Sequence, residues 1–452
     1  MSKTPRRTIG CCAALVSLLT LAFAARGWAQ SGQADVLRID LPTALRLADE
    51  RNLDIAIYVA RIAEASAKVA EARTLAVPSA RVGADFARHT GNIQETSGQV
   101  IDADRASRFS GLGTGLKVDI AAAIFAPLVA KQNRAAVTAA SDANRHQVFV
   151  DVATAYLRLL QARAESAIAQ RALERATDLA TLTASYAEAG EGLESDAQMA
   201  AVQPLFWQQR RVVTQEQTET AAAELTRLLH LQADVVLEPM ETEIPPLEIF
   251  SGDENVAELI ARALTARPET EEYDALVAAA EADLSGERYE LFVPGVSLDY
   301  SSGQFGGGPG SAIENTRDRS DLALTLYWRF ESFGLGHRAR TNEKRAQLQR
   351  VGLERDKLRD SIAAEVREDY ARVRSLKQQL ALAGSAVDRA QEAYELNRAR
   401  IYDHQGLPLE ALQAMQAFAS AEVAQLETRV GYSVAQIRLH TALGNPLNSQ
   451  FQ

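Results

Sequence analysis

The chain has 452 residues, a formal net charge of −11, 47% hydrophobic residues and only two cysteines. The acidic balance argues against nucleic acid, whose binding needs a basic footprint. Both cysteines, Cys11 and Cys12, fall in the first segment, so a disulfide scaffold and thiol chemistry are excluded from the remainder.

Residues 1–29 read as a signal peptide. Lys3, Arg6 and Arg7 form a positive start, Ala13 to Ala25 an apolar run, and Gly27-Trp28-Ala29 a small-x-small cleavage site. Its removal takes away four basic residues and no acids, moving the charge to about −15. With no cysteine after the apolar run, no lipid anchor is expected. That run is too short for a membrane-spanning helix, and no other stretch reaches roughly 18 consecutive apolar residues. Any membrane insertion would have to use strands.

Leu41 to Ala76 is alanine-rich and helical in pattern, with Pro42 in the first turn; Pro78 stops it. Alternation follows, with Val82, Ala84 and Phe86 opposite Arg81, Gly83 and Asp85, then a polar loop to about Ser110. It resumes with Leu112, Thr114, Leu116, Val118 and Ile120 against Gly113, Gly115, Lys117 and Asp119. Two strands of about ten residues are predicted. From about Pro127 to Ala189 a helix of roughly 90 Å is expected. Gly190-Glu191-Gly192 interrupts it, and a second helix returns to about Leu231.

Gln232 to Asp253 reads as a Pro- and Glu-rich connector, and Asn255 to about Leu291 as helix. Val296, Leu298 and Tyr300 then oppose Ser297, Asp299 and Ser301 in a third strand. A glycine-rich loop from Gly303 to Gly310 leads to the fourth. There Leu322, Leu324, Leu326, Trp328 and Phe330 alternate with Ala323, Thr325, Tyr327, Arg329 and Glu331. A second helical hairpin closes the chain, from about 337 to Tyr402 and from Pro408 to Leu443. Val366, Val373, Leu380, Val387 and Tyr394 fall seven apart, with Leu376, Ala383 and Ala390 three residues on, and Val423, Val430 and Ile437 repeat the spacing. Heptads of this kind specify an antiparallel coiled coil, and alanine in the seam lets helices approach closely.

The chain thus states one plan twice, about 215 residues apart. Val77-Pro78 answers to Val293-Pro294, Gly190 and Gly192 to Gly406, and Leu228–Leu231 to Ala442–Asn445. The expected division is a first repeat at 36–245 (strands about 79–90 and 111–124, hairpin about 127–231). A second follows at 246–446 (strands about 293–302 and 321–331, hairpin about 337–443). Four two-faced strands cannot close a barrel, and an open sheet edge in lipid is costly. The strands either pair with other copies of the chain or form an ordinary soluble sheet. Lys117, Asp119, Arg329 and Glu331 suit an aqueous lumen, and Trp328 and Phe330 an interfacial girdle.

The ordered set of motifs resembles the outer-membrane efflux protein (TolC) family. It comprises Leu41-Pro42-Thr43-Ala44-Leu45 through Asn52-Leu53, then Val77-Pro78. Tyr186–Gly190 with Asp196 follows, then Gly406–Ala414, Ala435–Leu439 and Ala442-Leu443-Gly444. The resemblance covers nearly all of the chain after the leader. It implies a homotrimer with a twelve-stranded transmembrane β-barrel above a periplasmic tunnel of long helices, in the outer membrane of a Gram-negative bacterium. It further implies outer-membrane lipid around the barrel, a periplasmic adaptor at the hairpin tips, and an inner-membrane pump of the resistance-nodulation-division or ATP-driven kind. The duct would be passive, opened by its partners, and would serve efflux or type I secretion.

By position, Asp196 matches the acid that narrows the family's periplasmic entrance, with Glu410 the nearest acid on the second tip. The alternative for each is a solvated helix-surface carboxylate. Gly190, Gly192, Leu193, Gly406, Leu407 and Pro408 are the adaptor-docking candidates; otherwise they form plain turns. No enzymatic activity and no cofactor are expected. The six histidines are scattered without metal-ligand spacing, Gly306–Gly310 lacks the Lys-Ser/Thr of a phosphate loop, and no nucleophile elbow is present. The competing reading from another class is a periplasmic coiled-coil adaptor or spacer without a barrel.

Overall fold

The structure, a computed structural model, describes residues 36–232, 234–241, 244, 247–330, 334–402 and 407–447. The expected signal peptide (1–29), Glu331 and Gly406 therefore lie outside the described residues. In chain order the elements are β1 (Val36–Ile39), α1 (Leu41–Arg51), α2 (Leu53–Thr74), β2 (Ser79–Gln94), β3 (Val100–Asp119), α3 (Ile120–Glu188) and α4 (Glu194–Leu228). The second half runs through β4 (Val236–Pro239), α5 (Val256–Ala266), α6 (Pro268–Glu290), β5 (Gly295–Pro309), β6 (Arg317–Tyr327), α7 (Leu335–Tyr402) and α8 (Pro408–Ala442). Both halves follow the same series. Their short helices α1 and α5 have 11 residues each, α3 and α7 have 69 and 68, and α4 and α8 have 35 each.

Local chemistry fixes the breaks. Asp40 caps α1 by accepting from the Thr43 amide at 2.9 Å. The expected single helix from Leu41 to Ala76 is divided at Asn52, whose side chain accepts from the Asp54 amide at 2.8 Å. Its amide nitrogen donates to the Leu228 carbonyl at 3.0 Å, so one buried residue caps α2 and satisfies the end of α4. In the second half the break falls between α5 and α6 at Arg267-Pro268, where proline opens the new helix.

Five expectations for the strands are corrected. The strand expected over 321–331 is β6, Arg317–Tyr327, so Trp328, Arg329 and Phe330 lie beyond its end. The strand expected over 111–124 ends at Asp119. That side chain accepts from the Ala122 amide at 3.1 Å, and Ile120 already belongs to α3. The polar loop expected up to Ser110 is instead strand: β2 and β3 pair from Ser79↔Gly115 out to Gln94↔Val100, closing in a short turn. The glycine-rich segment from Gly303 to Gly310, read as a loop, is the outer half of β5 through Pro309. Its glycines permit close pairing: Gly111 and Gly303 face each other, and a Cβ on either would overlap the neighbouring strand's backbone. The connector carries β4, which pairs in parallel with β1, Val36↔Val236 to Ile39↔Pro239.

The main sheet has the order β2-β3-β5-β6, antiparallel throughout. Its register gathers the apolar residues of the four strands on one face. Val82 lies opposite Leu112, Leu116 opposite Leu298 and then Leu324, and Val118 opposite Val296 and then Leu326. The other face carries Arg81, Lys117, Asp119, Asp299 and Asp321. No described residue covers the apolar face, where Val82 is 80% exposed and Leu322 72%.

Beside the sheet, α3 neighbours α2 and α6, and α6 neighbours α7; farther along, α3 packs with α4 and α8, and α8 with α7. At 1.5 Å per residue α3 and α7 each reach about 100 Å. The heptad positions Val366, Val373 and Tyr394 are buried, with Leu376, Leu380, Val387 and Ala390 packed beside them. Alanines line the seam near the turns: Ala169, Ala172, Ala176, Ala200, Ala411 and Ala419 pack around Leu412, Met415 and Phe418. The middle is clamped by Ile39, Phe149, Leu159, Leu229, Leu237 and Ile437. No described helix is long and apolar enough to cross a membrane.

Candidate functional site

Two regions hold the residues singled out by sequence. The first is where the polar face of the sheet meets the helices. Lys117 Nζ and the Arg329 guanidinium each lie 5.9 Å from the centre of the Tyr327 ring, so one aromatic side chain gathers two of the lumen candidates. Asp119, the last residue of β3, caps α3 and lines a cavity together with Arg329. Three of the four candidates thus converge, and the fourth, Glu331, lies outside the described residues.

Below them sits a set that sequence reasoning missed. The Arg340 guanidinium donates to Glu287 at 2.8 Å and to Glu290 at 3.0 Å, and His337 Nδ1 lies 3.1 Å from Glu287. These two carboxylates and the histidine could reach one ion, but Arg340 already spans both acids, so the set is an ion-paired brace between α6 and α7. Its signal in the sequence was slight. His337 is remote from both glutamates along the chain, and only the fold brings them together.

The second region is the pair of helical turns. Gly190 has φ +78°, a left-handed conformation that favours glycine. The amides of Glu191 and Gly192 both donate to the Tyr186 carbonyl at 3.0 Å, reversing the chain within three residues. Leu193 then precedes α4 and Leu407 precedes α8; they are 66% and 61% exposed, and neither supplies a side-chain cap. Pro408 opens α8. Asp196 and Glu410 fall in the first turns of α4 and α8, where the helix dipole favours a negative charge. Each stays within its own hairpin: Glu410 pairs with Arg400 at 3.1 Å and Asp196 lies 3.5 Å from Ser195 Oγ. The two turns belong to neighbouring helices, since Gln416 of α8 donates to Gln203 of α4 at 2.9 Å.

Above the turns the hairpins are clasped by Arg171 and Arg175 of α3, which reach Glu422 of α8 at 3.0 and 2.9 Å. The Arg175 guanidinium also lies 4.2 Å above the Phe418 ring. The arginines stand four apart on one helix face, a visible spacing, but their shared acid lies in the other repeat. Midway along α7, burial pushes the Asp369 carboxyl up to about 6, with Glu365 adding to the effect.

Residues 259–445 match the family model described as outer membrane efflux protein. No curated protein sequence matches the chain. Among solved structures it is similar to the outer membrane protein VceC from Vibrio cholerae (16% identity, 90% of this chain and 96% of that chain, TM-score 0.76). It is also similar to a membrane protein from Pseudomonas aeruginosa (20%, 91% and 94%, TM-score 0.78). A third is the MtrE outer membrane channel of Neisseria gonorrhoeae in its open state (20%, 93% and 94%, TM-score 0.72). The family model reaches only the second half, whereas the structural likeness spans both.

Proposed function

We propose, for a chain that carries an outer membrane efflux protein domain at residues 259–445 and has the fold of outer-membrane channels along both halves, that it is an exit duct. Three copies would close a twelve-stranded barrel in the outer membrane, with their long helices forming a tunnel into the periplasm.

The observation that carries this reading is the two-faced sheet with both edges open. An apolar face exposed to this extent and backed by a charged one suits a wall between lipid and water. Four strands in strict antiparallel order end on β6 running opposite to β2. The β6 edge of one copy therefore suits the β2 edge of the next without breaking the alternation. The helices offer matching free sides, α2 and α4 at one flank and α7 at the other. A coiled-coil spacer has no use for such a sheet.

In this duct Lys117, Asp119 and Arg329 face the water channel, and the same is proposed for Glu331. Asp196 and Glu410 line the periplasmic end, where three copies of a carboxylate would attract cations and repel anions. Gly190, Gly192, Leu193, Gly406, Leu407 and Pro408 form the surface met by a periplasmic adaptor, and an inner-membrane pump supplies the energy. The duct itself is passive and catalyses no reaction. A photo-crosslinker at Leu407 in living cells tests the partner claim. An adaptor is the expected capture, and its companion pump, resistance-nodulation-division or ATP-driven, distinguishes small-molecule efflux from type I secretion. Capture of no inner-membrane or periplasmic partner would contradict the docking role of the turns.

A further inference from the structure

Where the polar face of the sheet meets the helices, a cavity of about 940 Å³ opens over α3 between α2 and α6. It falls within the range of small-molecule sites, about 300–1,000 Å³. At its upper end Asp119 belongs to the polar face of the sheet, and Arg329, two residues past β6, lies by the ring of Tyr327 on that same face, so the cavity opens on the side proposed as the water channel. Its floor is apolar and shallow-textured, made of Phe125 and a run of alanines of α3 that includes Ala130 and Ala136.

The charges around it are not equally satisfied. Glu287 and Glu290 are held by Arg340, and Asp283 by Lys344 at 2.8 Å. On the α2 rim Lys68 holds Glu64 at 2.7 Å, and Arg61 lies over the Tyr58 ring at 4.7 Å. Glu272, half-buried on the α6 wall, has no hydrogen-bond or ion-pair partner among the described residues. Burial and the neighbouring charge of Glu269 hold its carboxyl above the usual range. A partly desolvated carboxylate beside another acid gains more from an incoming positive charge than an exposed one does.

We propose that this groove binds small amphipathic organic cations, with Glu272 as the counter-ion and the Phe125–alanine floor receiving the apolar body. The placement of the groove in a transport path rests on the duct reading; binding itself does not.

The test uses the full protein in nanodiscs and equilibrium dialysis with tetraphenylphosphonium, set against tetraphenylborate, an anion of the same shape. Empty nanodiscs give the lipid background. Saturable uptake of the cation near one per chain is expected, weakened about tenfold by Glu272→Gln, the scale of one lost charge-assisted contact. Glu271→Gln, at an exposed acid one residue away, should leave it unchanged. Ala130→Leu keeps every charge but fills the floor, and should also weaken uptake. The proposal is overturned if Glu272→Gln binds the cation as the parent does, or if tetraphenylborate binds equally well. Single-channel conductance, measured on the same preparation, reports the duct reading separately: loss of conduction with binding intact would remove the path and leave the site.

Discussion

Asp196 and Glu410 are each the third residue of a returning helix, behind an exposed leucine that contributes no side-chain cap. The two differ in what they hold. Glu410 accepts from Arg400 across the second turn at 3.1 Å, whereas the Asp196 carboxylate, among the described residues, accepts only from the Ser195 hydroxyl, at 3.5 Å. Both members of the Arg400–Glu410 pair are about half exposed, so the pair contributes under about 1 kcal/mol to stability. Arg400→Ala should therefore leave the melting temperature nearly unchanged. In planar bilayers it should raise conductance, because it unties the end of α7 from the start of α8. Asp196→Asn should lower selectivity for cations over anions. Unchanged conductance and selectivity in both variants would remove these residues from the proposed entrance.

Asp369 makes stability depend on pH in a defined direction. Its folded-state value is raised from 3.8 to about 6, so the fold favours the protonated form. Stability therefore rises as pH falls through about 6 and levels off below the unfolded value. Asp369→Asn should stabilise the protein at neutral pH by about 3 kcal/mol and lose most of that advantage near pH 4, roughly the unfolded value. Denaturant unfolding at the two pH values checks it; equal shifts at both would contradict the assignment.

Gln436 holds the connector against the second hairpin. Fully buried, it accepts from the Phe250 amide at 2.8 Å and donates to the Phe250 carbonyl at 2.9 Å. Gln436→Leu leaves both backbone groups buried without a partner and should cost about 2–4 kcal/mol, seen as a lower denaturation midpoint.

At the first turn, Gly190→Ala places a Cβ on a left-handed residue and should cost about 1 kcal/mol locally. Hydrogen exchange at the Glu191 and Gly192 amides, both bonded to the Tyr186 carbonyl, should speed up while the α3 core is unaffected.

Heptad spacing and strand alternation were legible because each is set by a period within a few turns of chain. Val366, Val373 and Tyr394 are buried as their spacing requires, and the alternating residues sort onto two faces of one sheet. Glycine misled the reading. At Gly190 it marks a turn, but at Gly303 to Gly308 it sits inside a strand because facing backbones approach closely there. Four-residue β1 and β4 carry no period, and they pair only because the fold brings the two ends of the first repeat together. Asn52 as a helix divider was visible as a capping residue, but its bond to Leu228 was not. The clasp of Arg171 and Arg175 on Glu422 and the brace of Arg340 on Glu287 and Glu290 depend on contacts between distant segments. No local pattern encodes those.

The central claim is that the β2 edge of one copy pairs with the β6 edge of the next. The two cysteines of the chain, Cys11 and Cys12, lie within the expected leader, residues 1–29, and a parent sample run alongside reports any background they give to the engineered cysteines. Ala84→Cys in β2 is combined in turn with a cysteine at each position from Asp318 to Leu324 in β6, oxidised in outer membranes and run without reducing agent. The account predicts disulfide-linked species up to three chains at one register, with neighbouring positions two residues away weaker. Monomer alone at every register, from protein present in the membrane fraction, would contradict it.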